Sequence, residues 1–186
     1  MAILPIRKYP DPVLREMAKP VTVIDEKLRK LAADMVETMR DANGLGLAAP
    51  QIGVGLRLIV VEFDAENHDP RVLVNPVIVG RRGKKELGDE GCLSFPNLRS
   101  RVKRHPGVVC EAQNLDGETI EYQGEGLTAR AIQHEMDHLD GMLFVDKIGP
   151  SDKISLRDGL AELEDNYAEL RPDKSLREGL SRPTAD

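Results

Sequence analysis

A chain of 186 residues, 40% of them hydrophobic, has enough material for one buried core; at this size roughly 70% of the unfolded surface is buried on folding. With no Trp, three Phe and three Tyr, that core must be aliphatic. The formal charge of −6 argues against nonspecific nucleic-acid binding by a basic domain, and no apolar run reaches membrane-spanning length.

The amino-terminal stretch starts apolar but is broken by Pro5, Pro10 and Pro12 and by the charges of Arg7 and Lys8, so it reads as neither signal peptide nor transit sequence. Asp25 is placed to cap a helix in which Leu28, Leu31, Met35 and Met39 share one face, ending near Asn43-Gly44. The next ten residues, GLGLAAPQIG from Gly44 to Gly53, hold three glycines and two alanines. Such a run suggests backbone lying close to a ligand or to another element. It is not a phosphate loop, because no Lys-Ser/Thr follows. Leu56 to Phe63 is a nearly continuous apolar strand, and Val72 to Val79 is a second, with Asn75-Pro76 implying a bulge or an edge. In EGCLSFP, Gly91 permits tight approach and Pro96 closes the segment, so a Cys92 thiolate could be presented to a metal; an ordinary buried thiol is the simpler alternative. From Leu98 to Lys103 the pattern alternates, with Arg99, Arg101 and Lys103 on a solvated face. Val108 to Ala112 and Glu118 to Tyr122 form a predicted hairpin around Asp116-Gly117, and Cys110 within it reads as a small core residue.

A helix beginning near Leu127 carries His134-Glu135-Met136-Asp137-His138. Residues i and i+4 lie on one helix face, so both imidazoles can reach one metal ion while Glu135 stands beside a water on that ion. HExxH on a helix is a pattern for metal-assisted hydrolysis with the Glu as general acid/base. An exposed helix with two solvated histidines is the alternative. A catalytic site of this kind needs a third protein ligand. The metzincin continuation would place a His at position 144, where Phe144 stands. Glu162, Glu164 and Glu169 lie in a charged helical pattern better read as solvated surface, which leaves Cys92 as the better third ligand. Asp137 and Asp140 are near in sequence, but neither is singled out as a partner for the histidines.

Beyond Pro150, Leu156, Leu160, Leu163, Tyr167 and Leu170 define a helix over 151–171 with one apolar seam, packed on its own domain or on a partner. Pro172 should stop it, and 172–186 reads as a flexible tail. Strands in runs, with helices at the two ends and one in the middle, predict an α+β fold: antiparallel sheets around a central HExxH helix, with an N-terminal and a C-terminal helix.

GLGLAAPQIG, EGCLSFP and QHEMDHLDG, in that order, resemble the three signature segments of peptide deformylases, and the opening from Ile3 to Arg15 is similar to the family's start, so the resemblance covers at least residues 3–148. These metalloenzymes remove the formyl group from the N-terminal formylmethionine of new bacterial and organellar polypeptides. The resemblance implies a catalytic domain over 1–150, with Cys92, His134 and His138 as metal ligands and Glu135 as general acid/base. It implies Gln51 and the backbone N–H of Leu93 as oxyanion donors, and Gly46, Gly91 and Arg99 at the substrate. It implies ferrous iron in the cell, although thiolate and imidazole also suit Zn2+, Ni2+ or Co2+. Unpaired cysteines agree with a reducing, cytoplasmic setting in a bacterium. Ribosome attachment through the C-terminal end is a further implied property, but residues 151–186 carry six Lys/Arg against nine Asp/Glu, which does not recommend contact with RNA. Another HExxH amidase or protease, or a non-catalytic metal-stabilised binding module of the same fold, are the competing readings.

Overall fold

The computed structural model describes residues 2–64, 66 and 68–170. Among these residues, three α-helices and seven strands follow one another as α1 (Glu26–Asp41), β1 (Gly46–Ala48), β2 (Leu58–Glu62), β3 (Pro70–Arg82), β4 (Glu86–Cys92), β5 (Phe95–Arg104), β6 (Gly107–Gln113), β7 (Thr119–Glu125), α2 (Gly126–Leu139) and α3 (Pro150–Leu170). The strands form a five-stranded sheet in the order β1-β2-β3-β6-β7 and a two-stranded sheet, β4-β5, with every pairing of these strands antiparallel. The architecture is α+β, as the run of strands between helices predicts.

Strand β2 shows why the larger sheet has a helix on each face. Side chains alternate across a strand. Ile59 and Val61 join Leu73, Cys110, Ala129 and Ile132 under α2, while Leu58 and Val60 join Met35, Met39 and Leu47 under α1. These four side chains are fully buried, which is why 58–61 is apolar throughout instead of alternating. Each contributes roughly 1.5–3 kcal/mol of transfer free energy. Helix α1 starts where expected: the Asp25 carboxylate accepts from the Leu28 N–H at 2.9 Å.

Strand β3 runs further than its apolar stretch, because two register shifts, between Val74 and Val77 and between Ile78 and Gly80, keep it paired with β6. The first is the bulge anticipated at Asn75-Pro76; Asn75 adopts φ 52° and its side chain exchanges hydrogen bonds with the Val21 backbone at 2.8 and 2.9 Å. The predicted hairpin is β6-β7, with Gly117 at φ 84° in the turn.

Strand β4 was not apparent in the sequence. It pairs with β5 from Glu86↔Arg104 to Gly91↔Arg99, and a register shift at Cys92 ends the ladder at the tight turn into Phe95. On β5 the alternation holds: Arg99, Arg101 and Lys103 are exposed and Val102 is buried, but the buried face also includes Arg104. A third apolar cluster fills the space behind this small sheet. In it Leu156 of α3 packs with Leu14, Phe95, Val102 and Phe144, and Leu160 and Leu163 pack against its edge. The predicted helix stop at Pro172 and the tail at 172–186 lie outside the described residues.

Candidate metal centre

Helix α2 lies across the large sheet with Ala129, Ile132 and Leu139 in the core, which turns His134, Glu135 and His138 toward the small sheet. There the β4-β5 turn brings in Cys92. The Cys92 sulfur and the donor nitrogens of His134 and His138 lie within 4.8 Å of one another, the one such His/Cys/Asp/Glu group among the described residues. His138 Nε2 is 3.3 Å from Cys92 Sγ. A tetrahedral N/N/S shell around a zinc-like ion would set neighbouring donors about 3.5 Å apart.

His134 is oriented by a carboxylate: its Nδ1 is 3.0 Å from Glu90 Oε2, which leaves Nε2 for the cluster. Burial disfavours a charged His134, yet the hydrogen bonds to Cys92 and Glu90 outweigh burial and raise its pKa well above the ordinary range. His138 goes the other way, because burial and then the charge on His134 hold it well below its ordinary value. A cysteine sulfur and two imidazoles, one of them held from behind by Glu90, form a donor set that fits one divalent ion.

Glu90 is the residue that sequence reasoning missed. It is buried at the centre of an ionic network: Arg104 binds it in a bidentate pair at 2.8 and 2.9 Å, and Arg130 Nη1 reaches it at 2.9 Å. Burial alone would raise its pKa, but Arg104 and His134 hold the carboxylate far below its usual range. Arg104 in turn donates to Asp137 at 2.6 Å, and Lys147 to the other Asp137 oxygen at 2.6 Å. Asp137 therefore anchors the network without touching either histidine, and Asp140 faces outward to Arg57 at 2.8 Å. The only signal for Glu90 was conditional: i and i+2 on a strand share a face, so this residue falls beside Cys92 once EGC is known to be extended, which its own composition does not indicate.

The other predicted residues converge on the same place. Gln51 sits in a 3₁₀ turn, Ala49–Ile52, buried and held by its own side-chain bonds. Its Oε1 accepts from the Ala48 N–H at 2.8 Å; its Nε2 donates to Ser94 Oγ at 3.2 Å and stands 3.6 Å from the Cys92 sulfur. A cleft of about 690 Å³ opens beside it, with Gly46, Gln51, Gly91, Cys92, Leu93, Arg99, His134 and Glu135 in its wall. Its apolar side includes Leu98, Leu127 and Ala131. Arg99 lies directly across the ladder from Gly91 and has no carboxylate partner among the described residues. Phe144, at the metzincin ligand position, is instead a fully buried wall, its ring 5.1 Å from Phe95 and 6.5 Å from His134.

The glycines of the first motif are explained by close approach. A Cβ on Gly44 would fall 2.8 Å from Leu93 Cδ1, and one on Gly46 would fall 2.5 Å from Glu135 Oε1 and 2.7 Å from its Cγ. Gly46→Ala is therefore expected to fold and to bind its ion while displacing the Glu135 carboxylate. Any hydrolysis that depends on the placement of that carboxylate should fall on the order of a hundredfold. Parallel metal analysis separates this from loss of the ion; a wild-type rate would show that Gly46 does not secure Glu135.

A buried carboxylate beside an N/N/S donor set in a peptide-sized cleft defines a site for metal-assisted hydrolysis. The family model for polypeptide deformylase matches residues 3–153. The peptide deformylase of Acidobacterium capsulatum is 53% identical over 150 residues, covering 80% of this chain and 88% of the relative. That of Dictyoglomus thermophilum is 53% identical over 142 residues, covering 76% and 90%. Among solved structures, a peptide deformylase from Legionella pneumophila superposes with a TM-score of 0.81 at 43% identity, covering 93% of this chain and 99% of that one. Peptide deformylase 1B of Arabidopsis thaliana, in complex with an inhibitor, gives 0.86 at 37% identity, covering 97% of each. The chain belongs to the polypeptide deformylase family.

Proposed function

We propose that the cleft binds the N-formylmethionyl end of a newly made polypeptide and hydrolyses its formyl amide. The C–N bond breaks, and formate and a free α-amine leave. The observation that carries the reading is the Glu135 carboxylate, buried in the wall of the cleft one residue from a histidine of the Cys92-His134-His138 cluster.

Those three side chains hold one divalent ion, and when bound it supplies Lewis acidity toward water and the formyl carbonyl. Glu135 takes a proton from the attacking water and returns it to the departing nitrogen, which is otherwise a poor leaving group. With no ion bound, burial first, then Glu90 and Asp137, push its carboxyl up to about 7. Gln51 Nε2 and the Leu93 N–H hold the oxyanion as it develops. The Gly46 backbone receives the peptide chain, Gly91 keeps the facing strand close, and Arg99 offers its guanidinium at the rim. The methionine side chain lies against Leu98, Leu127 and Ala131. Residues 1–150 constitute the catalytic domain, and 151–171 a helix that braces it through Leu156, Leu160 and Leu163.

The ion is ferrous iron and the setting is the reducing cytoplasm of a bacterium. In support, the donor set includes an accessible thiolate, both cysteines are free, and no helix among the described residues is long and apolar enough to cross a membrane. Formate release from formyl-Met-Ala-Ser by anaerobically purified protein tests the reading, with Fe2+-loaded and Zn2+-loaded samples compared. The iron sample should turn over several-fold faster and lose activity in air, while the zinc sample keeps its lower rate. An ion-replete protein inert on this peptide would remove the deformylase reading, and equal rates would remove the preference for iron.

A further inference from the structure

Three consecutive residues ahead of α1 tie together the two turns that carry the oxyanion donors. The Arg7 N–H donates to the Gln51 carbonyl at 2.6 Å, and the Tyr9 N–H to the Ser94 carbonyl at 2.9 Å. Between them, Lys8 Nζ donates to the Leu93 carbonyl at 2.6 Å across 85 residues of sequence. The Tyr9 ring stacks on Phe95, centroids 4.8 Å apart, so the segment cannot easily slide along the turn.

The peptide unit between Leu93 and Ser94 has a cation at one end and sulfur at the other. Its carbonyl oxygen takes the Lys8 ammonium; its N–H, on Ser94, lies 3.4 Å from Cys92 Sγ. The unit is planar, so its two ends turn together. A cation on a carbonyl oxygen polarises the amide and strengthens its N–H as a donor.

We propose that Lys8 is a positioning residue: through the Leu93–Ser94 peptide it strengthens the N–H···S hydrogen bond to Cys92 and fixes the turn that presents the Leu93 N–H. The second half of this role rests on the deformylase reading; the first does not. Lys8 is exposed, so replacing it leaves the core intact.

The test compares wild type, Lys8→Met and Lys8→Arg, each loaded with Co2+ in place of the native ion. Losing the N–H···S bond makes the thiolate a stronger electron donor. Lys8→Met should therefore shift the sulfur-to-cobalt charge-transfer band to longer wavelength, with Lys8→Arg close to wild type. In formate release, kcat of Lys8→Met should fall on the order of tenfold with KM unchanged. A Lys8→Met protein with the wild-type band, or a Lys8→Arg protein altered as much as Lys8→Met, overturns the proposal. An inert wild type together with a shifted Lys8→Met band would instead remove the deformylase reading and leave the Lys8–sulfur link standing.

Discussion

Glu135→Gln is expected to lower kcat for formate release by a factor of about 10³ to 10⁴ without loss of the bound ion, as for removal of an essential proton carrier. The substitution preserves shape, so it opens no cavity in the wall. Glu135 Oε2 is buried and has no hydrogen-bond partner, so no existing contact is broken there. What disappears is the carboxylate that, in the proposed mechanism, takes a proton and gives it back. Formate assays beside metal analysis decide the point; a variant that keeps its ion and retains a tenth of the activity would assign the proton transfer to another group.

The same substitution has an opposite expected effect on stability. The folded carboxyl titrates at about 7, above its ordinary value of 4.5, because burial disfavours the charged form. Below the unfolded value both states are protonated and nothing is lost. As pH rises from about 4.5 to 7 the unfolded chain ionises more readily, and the fold is destabilised by on the order of 3 kcal/mol. Glutamine carries no such cost. With a chelator present, Glu135→Gln should melt above wild type at pH 8, by a margin that shrinks toward pH 5. A margin independent of pH would show that Glu135 is ionised in the fold without difficulty.

Glu90→Gln is the second large effect. It leaves Arg104 and Arg130 without the carboxylate both share and His134 without its charged acceptor. Breaking one member out of a buried ionic group costs about 3–5 kcal/mol. In a domain of this size that corresponds to a fall of roughly 10 °C in Tm. Metal affinity should also fall by about 10- to 100-fold, because His134 loses the partner that fixes its ring. The double variant Glu90→Met with Arg104→Met separates the two losses. It removes much of the unpaired charge, so most of the stability should return, but the histidine still lacks its acceptor, so metal affinity should not. Thermal melts and competition with a metal indicator read the two quantities independently. Recovery of both would mean that Glu90 matters only as the partner of Arg104.

These two residues also mark how far the sequence could be read. The position of Glu135 was legible because a helix imposes spacing: the histidines are four positions apart on one face, which sets the acid beside the first of them at the edge of the cluster. The helix around it, the capped α1, the apolar β2 and the β6-β7 hairpin were legible for the same reason, since period and punctuation are local. Glu90 was not. Strand β4 reads ELGDEGC, with two glycines and three acids, and has almost no strand propensity of its own. It is extended because β5 pairs with it, and that pairing sets Glu90 beside Arg104 and His134. The burial of Arg104 was closer to reach, since the alternation from Leu98 to Val102 continues to it. Lys8 carried no signal at all, because a bond across 85 residues leaves no mark on local pattern.

The placement of the three proposed ligands has a mechanical side. Two of them ride on α2, which belongs to the large sheet, while the third ends a strand of the small one. An ion held by all three would therefore link residues 46 apart, Cys92 and His138, and would stabilise the fold because it binds the folded chain and not the unfolded one. A cysteine that forms no disulfide would in this way staple two sheets together. The same coordination that prepares the site for chemistry then also keeps its two halves in register.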